Sequence, residues 1–194
     1  MQLSTPVRKN GSVLAASSFA ICALFSAAPD IERNHFFSEI AVAPAVAVEI
    51  AQTTANELLI EANRLLDEGW YQTKSGQYQS AIVSYEGAIS AARHIGAQQQ
   101  EAEALSGIGT ADGFLGNYQQ AIAAYRQAFS IYQSLGQLNR AASALQGIAD
   151  NYWAIGNYSQ AEVHFRDAIV IYQQLGDYES EQYVYGLLDQ VAGR

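Results

Sequence analysis

The side chains able to do covalent or metal chemistry are few and scattered. His94 and His164 each lack a second histidine or a cysteine at ligand spacing, whereas a metal site needs several nitrogen, sulfur or carboxylate donors converging on one point. Both histidines therefore read as solvated or core residues. Cys22 is the single cysteine, so neither a disulfide framework nor a thiolate metal site is available. Asp177, Glu179 and Glu181 come closest to a cation site. They lack the spaced loop with a central glycine that calcium requires, and they stand at the start of a helical stretch, where negative charge favours the helix dipole. The chain contains no Gly-x-Ser-x-Gly elbow, phosphate loop or His-Glu-x-x-His pair. The expectation is a protein that is not an enzyme and uses no cofactor.

Charge narrows the partners. From residue 53 onward there are 15 acidic and 7 basic residues, a net charge of −8. Nucleic acid demands a basic face, so it is not the expected partner. Hydrophobic residues make up 49% of the 194 and charged residues 15%, a balance that fits a soluble, alanine-rich helical protein. All three prolines lie at or before residue 44, and nothing interrupts helices beyond that point.

What positions the remaining polar and aromatic residues is a repeat. Gly116-Asn-Tyr-Gln-Gln-Ala-Ile-Ala-Ala-Tyr-Arg-Gln-Ala128 recurs 40 residues later from Gly156 to Ala168 and 40 residues earlier from Gly76 to Ala88. Glycine, tyrosine, alanine, an aromatic and alanine keep the same offsets each time. Fixed periods of 20 to 50 residues mark stacked supersecondary units. Each unit divides at its Gly-x-Tyr into two apolar-periodic stretches too long for strands, so the unit is a helical hairpin.

With that glycine numbered 15 in its unit, Leu145, Ile148, Ala149 and Tyr152 fall at positions 4, 7, 8 and 11 of helix A, and Ala161, Phe165 and Ala168 at 20, 24 and 27 of helix B. The second unit supplies Leu105, Ile108, Gly109, Ala121, Tyr125 and Ala128, and the first Leu65, Gly69, Ala81, Tyr85 and Ala88. This pattern resembles the tetratricopeptide repeat. Departures are Glu68 at position 7, Gln72 and Asp112 at position 11, and no proline at position 32. Where that proline would stop helix B this chain has Arg93, Gln133 and Gln173, so helix B runs on to Gly96, Gly136 and Gly176, which can close it in the left-handed conformation. The 40-residue period, against about 34 for the usual repeat, resembles the repeats of kinesin light chains and related adaptors. Alanine at 20 and 27 and glycine or alanine at 8 permit close helix approach, and the aromatic at 24 fills the space between units.

The expected architecture is an all-α, right-handed solenoid of three hairpins, spanning 62–95, 102–135 and 142–175, with 48–61 as a lead-in to the first helix. The stretch 177–194 is a C-terminal capping helix that closes the open apolar end, with Tyr185 and Leu188 at its positions 4 and 7. Residues 1–47 read as a signal peptide or membrane-targeting segment. Arg8 and Lys9 precede an apolar run from Val13 to Ala28, and Ala45-Val46-Ala47 has a small-x-small cleavage pattern. An exported protein, periplasmic or extracellular, is expected, with anchoring by the N-terminal segment as the alternative.

The resemblance also places a groove. At 100° per residue, positions 2, 5, 6, 9, 12 and 13 of helix A lie opposite the core positions, and in tetratricopeptide proteins that face lines the concave surface. Here it holds Asn63, Trp70 and Lys74 in the first unit, Glu103, Ser106, Thr110 and Phe114 in the second, and Ser143, Gln146, Asp150 and Trp153 in the third. Chaperone-binding relatives clamp a terminal carboxylate with Lys, Arg and Asn on this face. These residues are mostly neutral or acidic, which favours a ligand with apolar and basic groups. Gly107, Gly147 and Gly113 stand on the same face, either admitting a ligand close to bare backbone or simply tolerated as weak helix positions. Trp70 and Trp153 are either aromatic anchors for a peptide or packing residues. The family implies a non-catalytic adaptor or assembly factor that binds a protein or peptide segment, including one associated with the envelope membrane. The alternative is a structural scaffold that self-associates into a homo-oligomer and leaves the groove empty.

Overall fold

The computed structural model describes residues 44–193, so Arg8, Lys9, Cys22 and the apolar run lie outside the described residues. Seven helices follow one another there: α1 Pro44–Lys74, α2 Tyr78–Ile95, α3 Gln98–Leu115, α4 Tyr118–Ser134, α5 Leu138–Ala154, α6 Tyr158–Leu175 and α7 Tyr178–Ala192. Residues 48–61 are not a separate lead-in but part of α1. No helix among the described residues is long and apolar enough to cross a membrane.

Every connection is built the same way. Gly76, Gly96, Gly116, Gly136, Gly156 and Gly176 all have φ between 67° and 81°, the left-handed region that a Cβ disfavours. The amide after each glycine donates to the carbonyl five residues back, as in Asn117 to Asp112 at 2.9 Å and Asp177 to Tyr172 at 3.0 Å. Each glycine amide itself donates three residues back, as in Gly156 to Trp153 at 2.9 Å. This is the paired-bond closure that satisfies the orphan carbonyls of a helix end. Closure by glycine is thus shared by both helices of a unit, and the backbone period is one helix and one turn, half of the 40-residue sequence period.

Consecutive helices from α2 to α7 pack on one another, and α3 also touches α5. The core is a seam of small residues, with Ala81, Ala88, Ala121, Ala128, Ala161 and Ala168 fully buried, so the backbones come close enough for the position-24 aromatics to lock units together. Tyr85 is held between two glycines: a Cβ on Gly69 would lie 2.7 Å from its ring and one on Gly107 2.3 Å away. Tyr125 repeats the arrangement between Gly109, at 2.7 Å, and Gly147, at 2.6 Å. The absence of a side chain at Gly107 and Gly147 is thus required by packing. They admit the preceding unit's tyrosine. In the third unit Phe165, with no accessible surface, takes the same position above Ala149.

The departures from the repeat pattern are explained by their partners. Gln72 accepts a hydrogen bond from the buried Ser84 at 2.9 Å. The buried Asp112 accepts from Asn117 Nδ2 at 3.0 Å. Ile108 and Ile148 at position 7 join the cores facing the preceding unit, whereas Glu68 at that position is exposed and paired with Arg64 at 2.8 Å. Position 4 packs on its own helix B, as Leu65 does 3.1 Å from the Cβ place of Gly87. In α7 the position-4 residue Tyr185 is 38% exposed, and Val184, Leu188 and Val191 are the buried hydrophobic residues. Tyr185 is thus not a core residue, contrary to its expected place, whereas Leu188 is.

Candidate functional site

Two clefts open on the helix-A face, one repeat apart. The first, about 580 Å³, lies between α1, the start of α2 and α3, and is lined by Trp70, Thr73, Lys74, Tyr78, Tyr85, Glu103, Ser106, Gly107, Thr110 and Phe114. The second, about 350 Å³, lies between α3, α4 and α5, and shares Thr110 and Phe114 with the first while adding Gly109, Gly113, Tyr118, Tyr125, Gly147, Asp150, Asn151 and Ala154. Trp70, Thr110 and Asp150 are equivalent residues of successive units, as are Lys74, Phe114 and Ala154. One turn of helix thus presents a different chemistry in each repeat.

Of the residues expected on this face, Trp70, Lys74, Glu103, Ser106, Thr110, Phe114 and Asp150 line the clefts. Four do not. Asn63 is exposed on α1 and accepts from Gln100 at 3.3 Å. Ser143 donates to the Asn139 carbonyl at 3.2 Å and lies 3.3 Å from the Tyr172 hydroxyl. Gln146 is half-buried outside both clefts, and Trp153 is half-buried against the core of the third unit. Tyr78, Tyr118 and Asn151 were not expected in the clefts. The second residue after each repeat glycine, a tyrosine in all three units, is the signal for the first two.

The aromatic floor is fixed by hydrogen bonds. Thr110 Oγ1 donates to the Ser106 carbonyl at 3.0 Å and lies 2.8 Å from the Tyr125 hydroxyl. With its own proton committed to the carbonyl, Thr110 accepts from the phenol. Thr73 repeats this, with 2.8 Å to the Gly69 carbonyl and 3.4 Å to the Tyr85 hydroxyl. Burial pushes both phenols up from their ordinary value. Phe114 stacks on Tyr78 with centroids 4.9 Å apart and 11° between planes, and Lys74 Nζ lies 5.7 Å from the centroid of Trp70.

The two cleft carboxylates differ. Glu103 is paired with Arg140 and accepts from Gln99 at 3.1 Å. Asp150 has no hydrogen-bond or ion-pair partner among the described residues, and burial raises its carboxyl to about 6. The native state therefore holds a proton on Asp150 that the unfolded chain releases between about 4 and 6. Stability from this group is complete below about pH 4 and is lost as the pH rises through 6. Replacing Asp150 by asparagine is expected to raise stability at pH 7 by about 1–2 kcal/mol. The gain should vanish in melts at pH 4; a loss of stability at pH 7 would contradict it.

The other reactive side chains are occupied structurally. His94 Nδ1 lies 3.0 Å from the Ser90 carbonyl. His164 stacks on Tyr152 at 5.6 Å, and burial holds its imidazole below the ordinary value. Asp177 caps α7, accepting from the Ser180 hydroxyl at 2.7 Å and its amide at 3.1 Å, and these bonds lower its carboxyl. Glu181 is buried and accepts from Gln173 at 2.8 Å.

A stack of glycine-closed helical hairpins with a cleft along its helix-A face is a helical-repeat scaffold. The tetratricopeptide repeat model matches residues 69–134 and 100–174, which together exceed half of the chain, and the chain belongs to the tetratricopeptide repeat family. A tetratricopeptide-like protein of Chlorobium tepidum TLS shares the fold with a TM-score of 0.58 at 15% identity, over 72% of this chain and 99% of that one. The tetratricopeptide domain of Arabidopsis FLU gives 0.56 at 19%, over 60% and 98%. These likenesses speak to the fold alone, and the family match carries no subtype, kinesin light chain or other. No curated protein sequence matches the chain. Tetratricopeptide repeats in general are non-catalytic scaffolds for protein–protein interaction.

Proposed function

We propose that this protein is an adaptor or assembly factor whose helix-A clefts hold an extended segment of a partner protein. One observation carries the reading: Trp70 and Phe114 line the same cleft and remain 59% and 65% exposed, although the stack fills its core without them. Large apolar surface left open on a soluble chain marks an interaction site, and aromatic anchors give much contact area for few rotatable bonds. Replacing Trp70 or Phe114 by alanine should weaken partner binding by roughly 2 kcal/mol, about thirtyfold, and leave the melting temperature within a few degrees. Calorimetry of binding together with thermal melts checks this. Large losses of stability in both variants would assign the rings to packing.

The proposal extends to location, with the mature chain beginning near Val48 and working outside the cytoplasm, on the evidence of Arg8, Lys9, the apolar run and Ala45-Val46-Ala47. N-terminal sequencing of protein expressed in bacteria checks it, and an intact Met1 on cytoplasmic protein would overturn it.

A further inference from the structure

Asp150 is the one cleft carboxylate without a partner. Its neighbours are already spent: the Tyr125 hydroxyl is given to Thr110, at 2.8 Å, and Asn151 donates its side-chain amide to the Gly147 carbonyl at 2.7 Å. Glu103, in the adjoining cleft, has Arg140. A half-buried carboxylate with no charge opposite it is costly to keep, and the cavity beside it is walled by the rings of Phe114, Tyr118 and Tyr125. Aromatic faces and a desolvated carboxylate suit the same kind of group, an alkyl stem ending in a cation.

We infer that the cavity over Asp150 is a subsite for a lysine or arginine side chain of the docked segment, its charge set against the Asp150 carboxylate and its stem between Phe114, Tyr118 and Tyr125. The inference rests on the docking reading above and names the chemistry of its ligand. The whole repeat region has the complementary sign, with 15 acidic residues against 7 basic ones from residue 53 onward. Spacing follows from the stack. The two clefts are one unit apart, and neighbouring helices stand ~10 Å apart, which about three residues of extended chain span. The segment recognised therefore carries an apolar or aromatic residue for the Trp70 and Phe114 cleft and a basic residue about three positions away.

The test uses acetylated, amidated heptapeptides with phenylalanine at both ends, serines between, and lysine, arginine, norleucine or glutamate at the centre, titrated into the full-length protein and followed by amide chemical shifts. The lysine and arginine peptides are expected to bind at least tenfold more tightly than the norleucine peptide, with the glutamate peptide weakest. Asp150→Asn should erase the difference between lysine and norleucine, and Asp150→Glu should restore part of it. A melting temperature retained or raised in the asparagine variant separates this from unfolding. If all four peptides bind the wild-type clefts equally, the cation subsite is wrong and the docking face stands. If none binds, the docking reading falls and the subsite with it.

Discussion

Deletion of residues 177–194 is expected to lower the melting temperature by roughly 10–20 °C or to leave an aggregating protein. Helix α7 buries Val184, Leu188 and Val191 against a cluster that contains Phe165, Ile169 and Tyr172. At ~1.5–3 kcal/mol for each buried aliphatic side chain the three supply roughly 5 kcal/mol, and 1 kcal/mol shifts the melting point of a chain this size by roughly 2–4 °C. Nearest-neighbour stacking is the main source of stability in a repeat array, so the loss falls on α6. Point variants refine the test. Val184→Ala should cost about 2 kcal/mol, and Tyr185→Ala clearly less, because Tyr185 is 38% exposed. An unchanged melt in the truncated protein would mean that α7 does not dock.

Gly107→Ala and Gly147→Ala are expected to destabilise by about 2 kcal/mol each, against the usual rule that alanine improves a helix by ~1 kcal/mol. The new methyl groups would stand 2.3 Å from the Tyr85 ring and 2.6 Å from the Tyr125 ring. Those rings have little room to retreat, since they also fill the Cβ places of Gly69 and Gly109, each 2.7 Å from the ring. Overpacking of a fixed core typically costs 1–3 kcal/mol. Chemical denaturation measures the loss, and pairing Gly147→Ala with Tyr125→Leu should recover part of it through non-additivity. A gain in stability would instead mark these glycines as open backbone.

These two regions show what was readable in advance. The unit count, the glycine closures and the small residues at positions 8, 20 and 27 follow from backbone geometry, which repeats with the sequence. What failed to repeat was context. Position 7 packs toward the preceding unit and position 4 toward its own helix B, and Glu68 in α1 and Tyr185 in α7, both exposed, depart from the pattern. Trp153 lies half-buried against the third unit's core, as periodicity within its own helix cannot foresee. Asp150 was legible as a residue of the groove face. Its lack of a partner was not, because that depends on how Thr110 takes the Tyr125 hydroxyl and Gly147 the Asn151 amide, contacts between side chains far apart in sequence.

The central claim is that the helix-A clefts dock a protein segment. The most direct measurement is a chemical-shift map of the isotopically labelled protein titrated with a peptide selected from a random dodecamer library. Shifts are expected on the Trp70 indole and on the amides of Thr110, Phe114 and Asp150, with α7 and the outer faces of α2, α4 and α6 unmoved. Shifts confined to the outer faces, or to the exposed Tyr178 and Tyr183 of the cap, would contradict it.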